Sequence, residues 1–217
     1  MISNKEEWNI LFTKLKSIID KSSGDLSQII ELSIDLHMYT HESTFPTESV
    51  TLEDKLWQKD GIFTDFTEKK LYSVAWHLWH SARVEDITCS HLICRDKEII
   101  DEYDFVNRMS IPFRTTGNSM DFSEMGRFNE GINLKELRNY RFEVSKKTQK
   151  LLESLTHERL QEKVMSESLS KIMECGSIAN TDTWLLDYWG KKKISGIIMM
   201  PLTRHLLVHL NSAIRLL

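Results

Sequence analysis

The sequence predicts an all-α protein, and three observations carry that expectation. Glycine and proline are scarce, 8 and 3 in 217 residues, too few to punctuate many short strands joined by tight turns. Apolar residues recur at three- and four-residue intervals over several long stretches, the period of a helix with one face turned inward. No stretch alternates apolar and polar residues for long enough to make a credible half-buried strand. A hydrophobic fraction of 41% with 28% charged residues is ordinary globular usage, and the length suffices for one sizeable core, so a single helical-bundle domain over 1–217 is expected.

The elements follow in chain order. A first helix is predicted over about Lys5–Asp20, with Ser3-Asn4-Lys5-Glu6 as a capping box and Trp8, Leu11, Leu15, Ile18 and Ile19 along one face; Ser22-Ser23-Gly24 ends it. Asp25 opens a second helix to about His41, with the stripe Leu26, Ile30 and Ile34. Residues 42–67, with Pro46 and Gly61, read as a loop carrying a short helix near Leu52–Gln58. A third helix, about Glu68–Ile93, contains WHLWHSARVED (76–86). Residues 101–131, with Pro112, Gly117, Gly126 and Gly131, read as an irregular insertion long enough to cover a site. A fourth long helix is predicted over about Leu134–Leu155 and a shorter one over Glu158–Cys175. A single turn around Thr183–Trp189 precedes a last helix, about Lys193–Leu216, kinked at Pro201.

Several function classes fall away on composition and spacing. The formal net charge is −4 and the lysines are scattered, so there is no electrostatic footprint for nucleic acid. No apolar run approaches membrane-spanning length, and the amphipathic, charged start MISNKEEWNILFTKLK does not read as a secretory signal. Cys89, Cys94 and Cys175 form no Cys-x-x-Cys pair and are odd in number, so a reducing cytoplasm is the expected location. No phosphate-cradling glycine loop or nucleophile elbow occurs. His-Glu-x-x-His and Glu-x-x-His are also missing, which sets aside zincin-type and ferritin-like di-iron sites.

The histidines are what remains. Projected at 100° per residue, the third helix places Leu71, Val74, Ala75, Leu78, Ala82, Cys89 and Leu92 on a broad apolar face, and His80 on a second stripe with Trp76, Val84 and Ile87. His77 falls about 60° from His80, in a polar wedge with Ser81 and Thr88. His80 is therefore expected to be buried and His77 to meet water. On the last helix His205 and His209 share a face with Ile198, Leu202 and Leu216, away from Arg204, Asn211 and Arg215; on the second, His37 and His41 fall on the apolar stripe. A lone inward histidine is ordinarily a satisfied core residue. Eight histidines scattered at random give fewer than one pair at i,i+3 or i,i+4, yet there are three: 37/41, 77/80 and 205/209. Residues four apart on a helix are close enough for two imidazoles to bind one ion, and a third from a facing helix leaves a position open for water. Three imidazoles suit zinc, nickel or iron better than magnesium or calcium. Glu85 projects into the broad apolar face, so a buried partner is expected for it. Trp184, Tyr188 and Trp189 are expected to pack.

SVAWHLWHSARVED (73–86) and LLDYWGKKKISGIIMMPLTRHLLVHLN (185–211) together resemble the DinB/YfiT-like family of metalloenzymes, and TTGNSM (115–120) resembles a segment of its longer members. The resemblance implies a four-helix bundle, here with additional short helices and the long irregular insertion. It also implies a divalent metal held by His80, His205 and His209, on which a water or a small thiol is activated, as in a hydrolase or a thiol-dependent transferase. His37 and His41, facing the same core, are then the expected general base or supporting partners, and a homodimer through an apolar helix face is the expected assembly. The competing expectation is a metal-stabilised bundle without turnover, serving as a binding or stress-response protein.

Overall fold

The computed structural model describes residues 2–21, 24–43 and 50–217, and among these the regular structure is helical, with two isolated antiparallel bridges, Thr67 to Lys70 and Lys163 to Lys193, and no strand. Ser22, Ser23 and Pro46, read as helix end and loop, lie outside the described residues. No helix among the described residues is long and apolar enough to cross a membrane.

Helix starts follow local hydrogen bonding. The first helix, α1 (Lys5–Ile18), is capped by Asn4 rather than by Ser3: Asn4 Oδ1 accepts the Glu7 N–H at 3.0 Å, and the Glu7 carboxylate accepts the Ser3 N–H at 2.8 Å. The reciprocal exchange expected at the capping box is thus displaced by one residue. Asp25 caps α2 (Leu26–Met38), whose buried face centres on Ile29, Ser33 and Leu36; Leu26, Ile30 and Ile34 are only half-buried. A Thr51–Asp54 capping box opens α3 (Leu52–Trp57). Ser73 caps α4 (Val74–Ile87), which continues as a π-helical segment, Thr88–Cys94.

Helix α4 begins at Val74 rather than near Glu68, and two further stretches differ from expectation. Residues 101–131 are not an irregular insertion: α5 (Ile99–Glu102), α6 (Phe105–Arg108) and α7 (Phe122–Gly131) occupy much of the region. An Asp121–Glu124 capping box starts α7 and turns Met125 and Phe128 into the core, a signal outweighed by the nearby glycines. After α8 (Leu134–Glu153), the expected single helix is divided into α9 (His157–Gln161) and α10 (Ser166–Glu174). The gap is used for tertiary bonding: Val164 N–H donates to the Lys192 carbonyl at 3.1 Å and Ile194 N–H to the Glu162 carbonyl at 2.9 Å. Beyond α11 (Trp184–Gly190), the last stretch is α12 (Ile194–Met199), a π-helical turn Met200–Arg204 that begins at Pro201's neighbour, and α13 (His205–Leu216).

The centre of the molecule is α4, packed against α8 and α13, while α2 packs against α8 and α1, and the π turn before α13 rests on α2. Every residue of α4 except His77 is buried. Arg141 of α8, itself buried, ties the helices together. Its Nε donates to Glu53 Oε1 at 2.6 Å, and its Nη1 donates to the Leu78 carbonyl at 2.8 Å and Ser81 Oγ at 2.9 Å. Removing one member of such a pair leaves an uncompensated buried charge. Arg141→Met is therefore expected to lower unfolding free energy by about 3–5 kcal/mol in urea denaturation, and adding Glu53→Gln to recover part of the loss. Wild-type stability in the single variant would mean that the clamp contributes nothing.

Candidate metal centre

Neighbouring helices bring three imidazoles together. His80 comes from the buried middle of α4, and His205 and His209 from the first turns of α13; one nitrogen from each lies within 4.8 Å of the others. His80 is held on both sides. Trp76, one turn earlier, stacks on it with ring centroids 4.5 Å apart and planes 5° from parallel. Its Nδ1–H donates to the Thr116 carbonyl at 2.7 Å, which fixes the tautomer and leaves Nε2 with a free lone pair, 3.2 Å from His205 Nε2. His205 Nδ1 is buried and has no hydrogen-bond partner. A metal-ligating histidine ordinarily donates its second N–H to a carbonyl or carboxylate, as His80 alone does here, and it is the close approach of three ring nitrogens that fits a transition ion.

Local backbone explains how α13 presents its pair. Pro201 has no N–H to continue the α-helical ladder, and the chain passes through a π turn in which Thr203 Oγ1 takes up the Ile198 and Met199 carbonyls, each at 2.9 Å. His205 is the first residue after that turn, and four-residue spacing sets the His205 and His209 ring centroids 4.4 Å apart. The sequence signal for the pair was its spacing; the break at Pro201 was expected as a kink.

Burial keeps the imidazoles neutral. It holds His80 and His77 down to about 4, and burial followed by the neighbouring His80 pushes His205 well below its ordinary range. Burial and then His205 push His209 down as well. Neutral rings are the form that binds metal.

A cavity of about 270 Å³ reaches His80 and His205 between α11, the π turn and the Thr116 loop. Trp184, Tyr188 and Trp189, expected chiefly to pack, line it together with Asn118 and Met200. His77 also departs from expectation. It is half-buried rather than turned to water, and its Nδ1 lies 2.9 Å from His209 Nδ1. The 77/80 pairing pointed to it; helical phase alone set it aside, because α13 crosses near enough to meet both sides of the α4 ridge.

His37 and His41 do not line the cavity. They form a second buried group with Glu85, whose expected partners they are: His37 Nε2 sits 2.6 Å from Glu85 Oε1 and His41 Nε2 3.0 Å from Oε2. A general base must reach the proton it takes, and neither histidine touches this cavity. Arg83, next on α4, pairs with Asp86 at 3.2 Å and Glu98 at 2.6 Å.

No family model matches the chain, and comparison with curated proteins yields no match.

Two outcomes are expected from this geometry. A Cβ on Gly117 would stand 2.4 Å from Trp79 Cζ3, and the residue has φ of +74°, so Gly117→Ala should shift the Thr116 carbonyl away from His80 and weaken metal binding. Unchanged metal affinity in that variant would show that the carbonyl does not orient the ring. Second, the unfolded chain protonates these histidines near 6.5, whereas the folded chain does so nearer 4 at His80. Metal-free protein therefore keeps its stability above about 6.5 and loses it progressively as pH falls toward about 4, by roughly 3 kcal/mol for His80 alone. Thermal melts across that range check it; a melting temperature that rises with acidification would reverse the sign.

Proposed function

We propose that the protein is a metal-dependent enzyme of the DinB/YfiT-like kind, in which His80, His205 and His209 hold one divalent transition ion at the inner end of the cavity. The observation that carries this is the conjunction of three neutral imidazoles with an access route: the donor atoms lie within 4.8 Å of one another, and the cavity touches two of the three rings. A structural site is closed by four protein ligands, while a catalytic one keeps a position facing a cleft. The arrangement of α2, α4, α8 and α13 around a shared core supports the four-helix bundle that the resemblance implies.

Bound there, zinc, nickel or iron supplies Lewis acidity and lowers the pKa of a coordinated water or thiol, giving a nucleophile near neutral pH. The residues of this chain do the rest. Thr116 and Trp76 hold His80 in one tautomer and one orientation. His77 steadies His209 from the side away from the cavity. Trp184, Leu185 and Trp189 give the cavity an apolar wall that displaces water, and the Asn118 amide offers a polar handle for a small substrate or a low-molecular-weight thiol.

Metal content of untagged protein tests the ligand set. His80→Ala, His205→Ala and His209→Ala are each expected to lose the ion of this centre. His77→Ala is expected to keep it with affinity lowered about 10–100-fold, the usual effect of removing a supporting hydrogen bond. An ion retained by His80→Ala and lost from His77→Ala would defeat the assignment. Cobalt-loaded protein then tests access: addition of a small thiol should produce a thiolate-to-cobalt charge-transfer band that is absent from His80→Ala, and silence in the wild type would mean a site closed to thiols.

A further inference from the structure

We infer that His37, His41 and Glu85 form a second, fully buried metal site that takes a divalent transition ion and fastens the C-terminal end of α2 to α4. It uses none of the three ligands of the cavity site, and stands or falls separately from the proposed function.

The first support is an accounting of buried charge. Glu85 is 0% exposed, and a carboxylate in that position needs a cation. The buried arginines are committed elsewhere: Arg83 to Asp86 and Glu98, Arg141 to Glu53. Among the described residues the only groups paired with Glu85 are the imidazoles of His37 and His41, themselves 0% and 2% exposed.

The second is how the groups face one another. Each carboxylate oxygen is met by one imidazole nitrogen, at 2.6 Å from His37 and 3.0 Å from His41. The latter is close without being a hydrogen bond: His41 Nδ1 and Nε2 and Glu85 Oε2 are all buried with no partner, as is His37 Nδ1. Four unsatisfied atoms in one buried cluster are expensive. One donor from each residue lies within 4.8 Å of the other two, and metal–ligand bonds of about 2.0–2.2 Å place tetrahedral donors roughly 3.3 Å apart. An ion therefore needs only a small outward adjustment of the rings.

The donor chemistry decides the class. Two imidazoles and one carboxylate suit zinc or iron(II), and are wrong for calcium, which takes six to eight oxygens. One donor comes from each residue, and all three residues are buried, so the site is set apart from solvent. None of the three lines the cavity. The same charge balance is reached without an ion if one imidazole carries a proton, and the metal count separates the two.

Protein expressed in zinc-supplemented medium and purified without tag or chelator is assayed for metal per chain by inductively coupled plasma mass spectrometry. Two ions are expected in the wild type, one in Glu85→Gln and one in His80→Ala. A wild type holding a single ion that His80→Ala removes overturns the second site and leaves the cavity site intact, whether or not Glu85→Gln folds. A single ion kept by His80→Ala and lost from Glu85→Gln supports the second site and defeats the cavity reading instead. Two ions in the wild type with two still held by folded Glu85→Gln overturns the assignment to these residues.

Discussion

A helix buried on all sides must find a partner inside the protein for every polar group it carries, and α4 is such a helix. Of its fourteen residues only His77 escapes full burial, yet it carries His80, Ser81, Arg83, Glu85 and Asp86. Much of the surrounding architecture supplies what these residues require. Thr116 offers its carbonyl to His80, Arg141 reaches Ser81, Glu98 and Arg114's carbonyl take the Arg83 guanidinium, Tyr140 donates to Asp86, and α2 brings His37 and His41 to Glu85. Unsatisfied, any of them would cost more than an ordinary surface contact returns.

That constraint sorts the buried polar groups into two kinds. Arg83 pairs with Asp86 and Glu98, and Arg141 separately with Glu53, so these charged residues form two sets of ion pairs. His80, His205 and His209 are uncharged because burial disfavours their protonated form, so they contribute lone pairs instead of charge. At Glu85 burial would raise the carboxyl, and the neighbouring His41 and His37 hold it low. Aromatic packing keeps the neutral rings in place: Tyr72 stacks on Trp76 and Trp76 on His80. Gly117 allows the loop that carries the Thr116 carbonyl to pass against the Trp79 ring, where no larger residue has room.

The π-helical segments follow from the same demand for placement. One continues α4 from Thr88 to Cys94, and the other precedes α13 from Met200 to Arg204. A π turn changes the phase of everything beyond it, and here it lets α13 present His205 and His209 toward α4 after α12 has packed Ile197 and Ile198 into the core. A uniform 100° projection from Ile198 to Leu216 therefore describes each side of the turn and not the passage between them.

The helical class and the set of inward-facing polar residues are legible in the sequence, because both depend on composition and short-range spacing. The pairs His37/His41 and His205/His209, the burial of His80 and the need of Glu85 for a partner were all readable one helix at a time. The cap of the first helix was readable to within a residue, as the exchange of Ser3 for Asn4 shows, whereas α4 is capped by Ser73 and not near Glu68. Which pairs meet was decided only by the tertiary structure. His37 and His41 join Glu85 and stand apart from the cavity, His77 joins His209, and Trp184, Tyr188 and Trp189 become walls of the cavity. The physical reason is that helical phase fixes the direction of a side chain about its own axis, whereas the approach and rotation of the neighbouring helix fix what stands opposite. Those are set by packing of residues far apart in the chain, with α8 and α13 closing on α4 from positions more than fifty residues away.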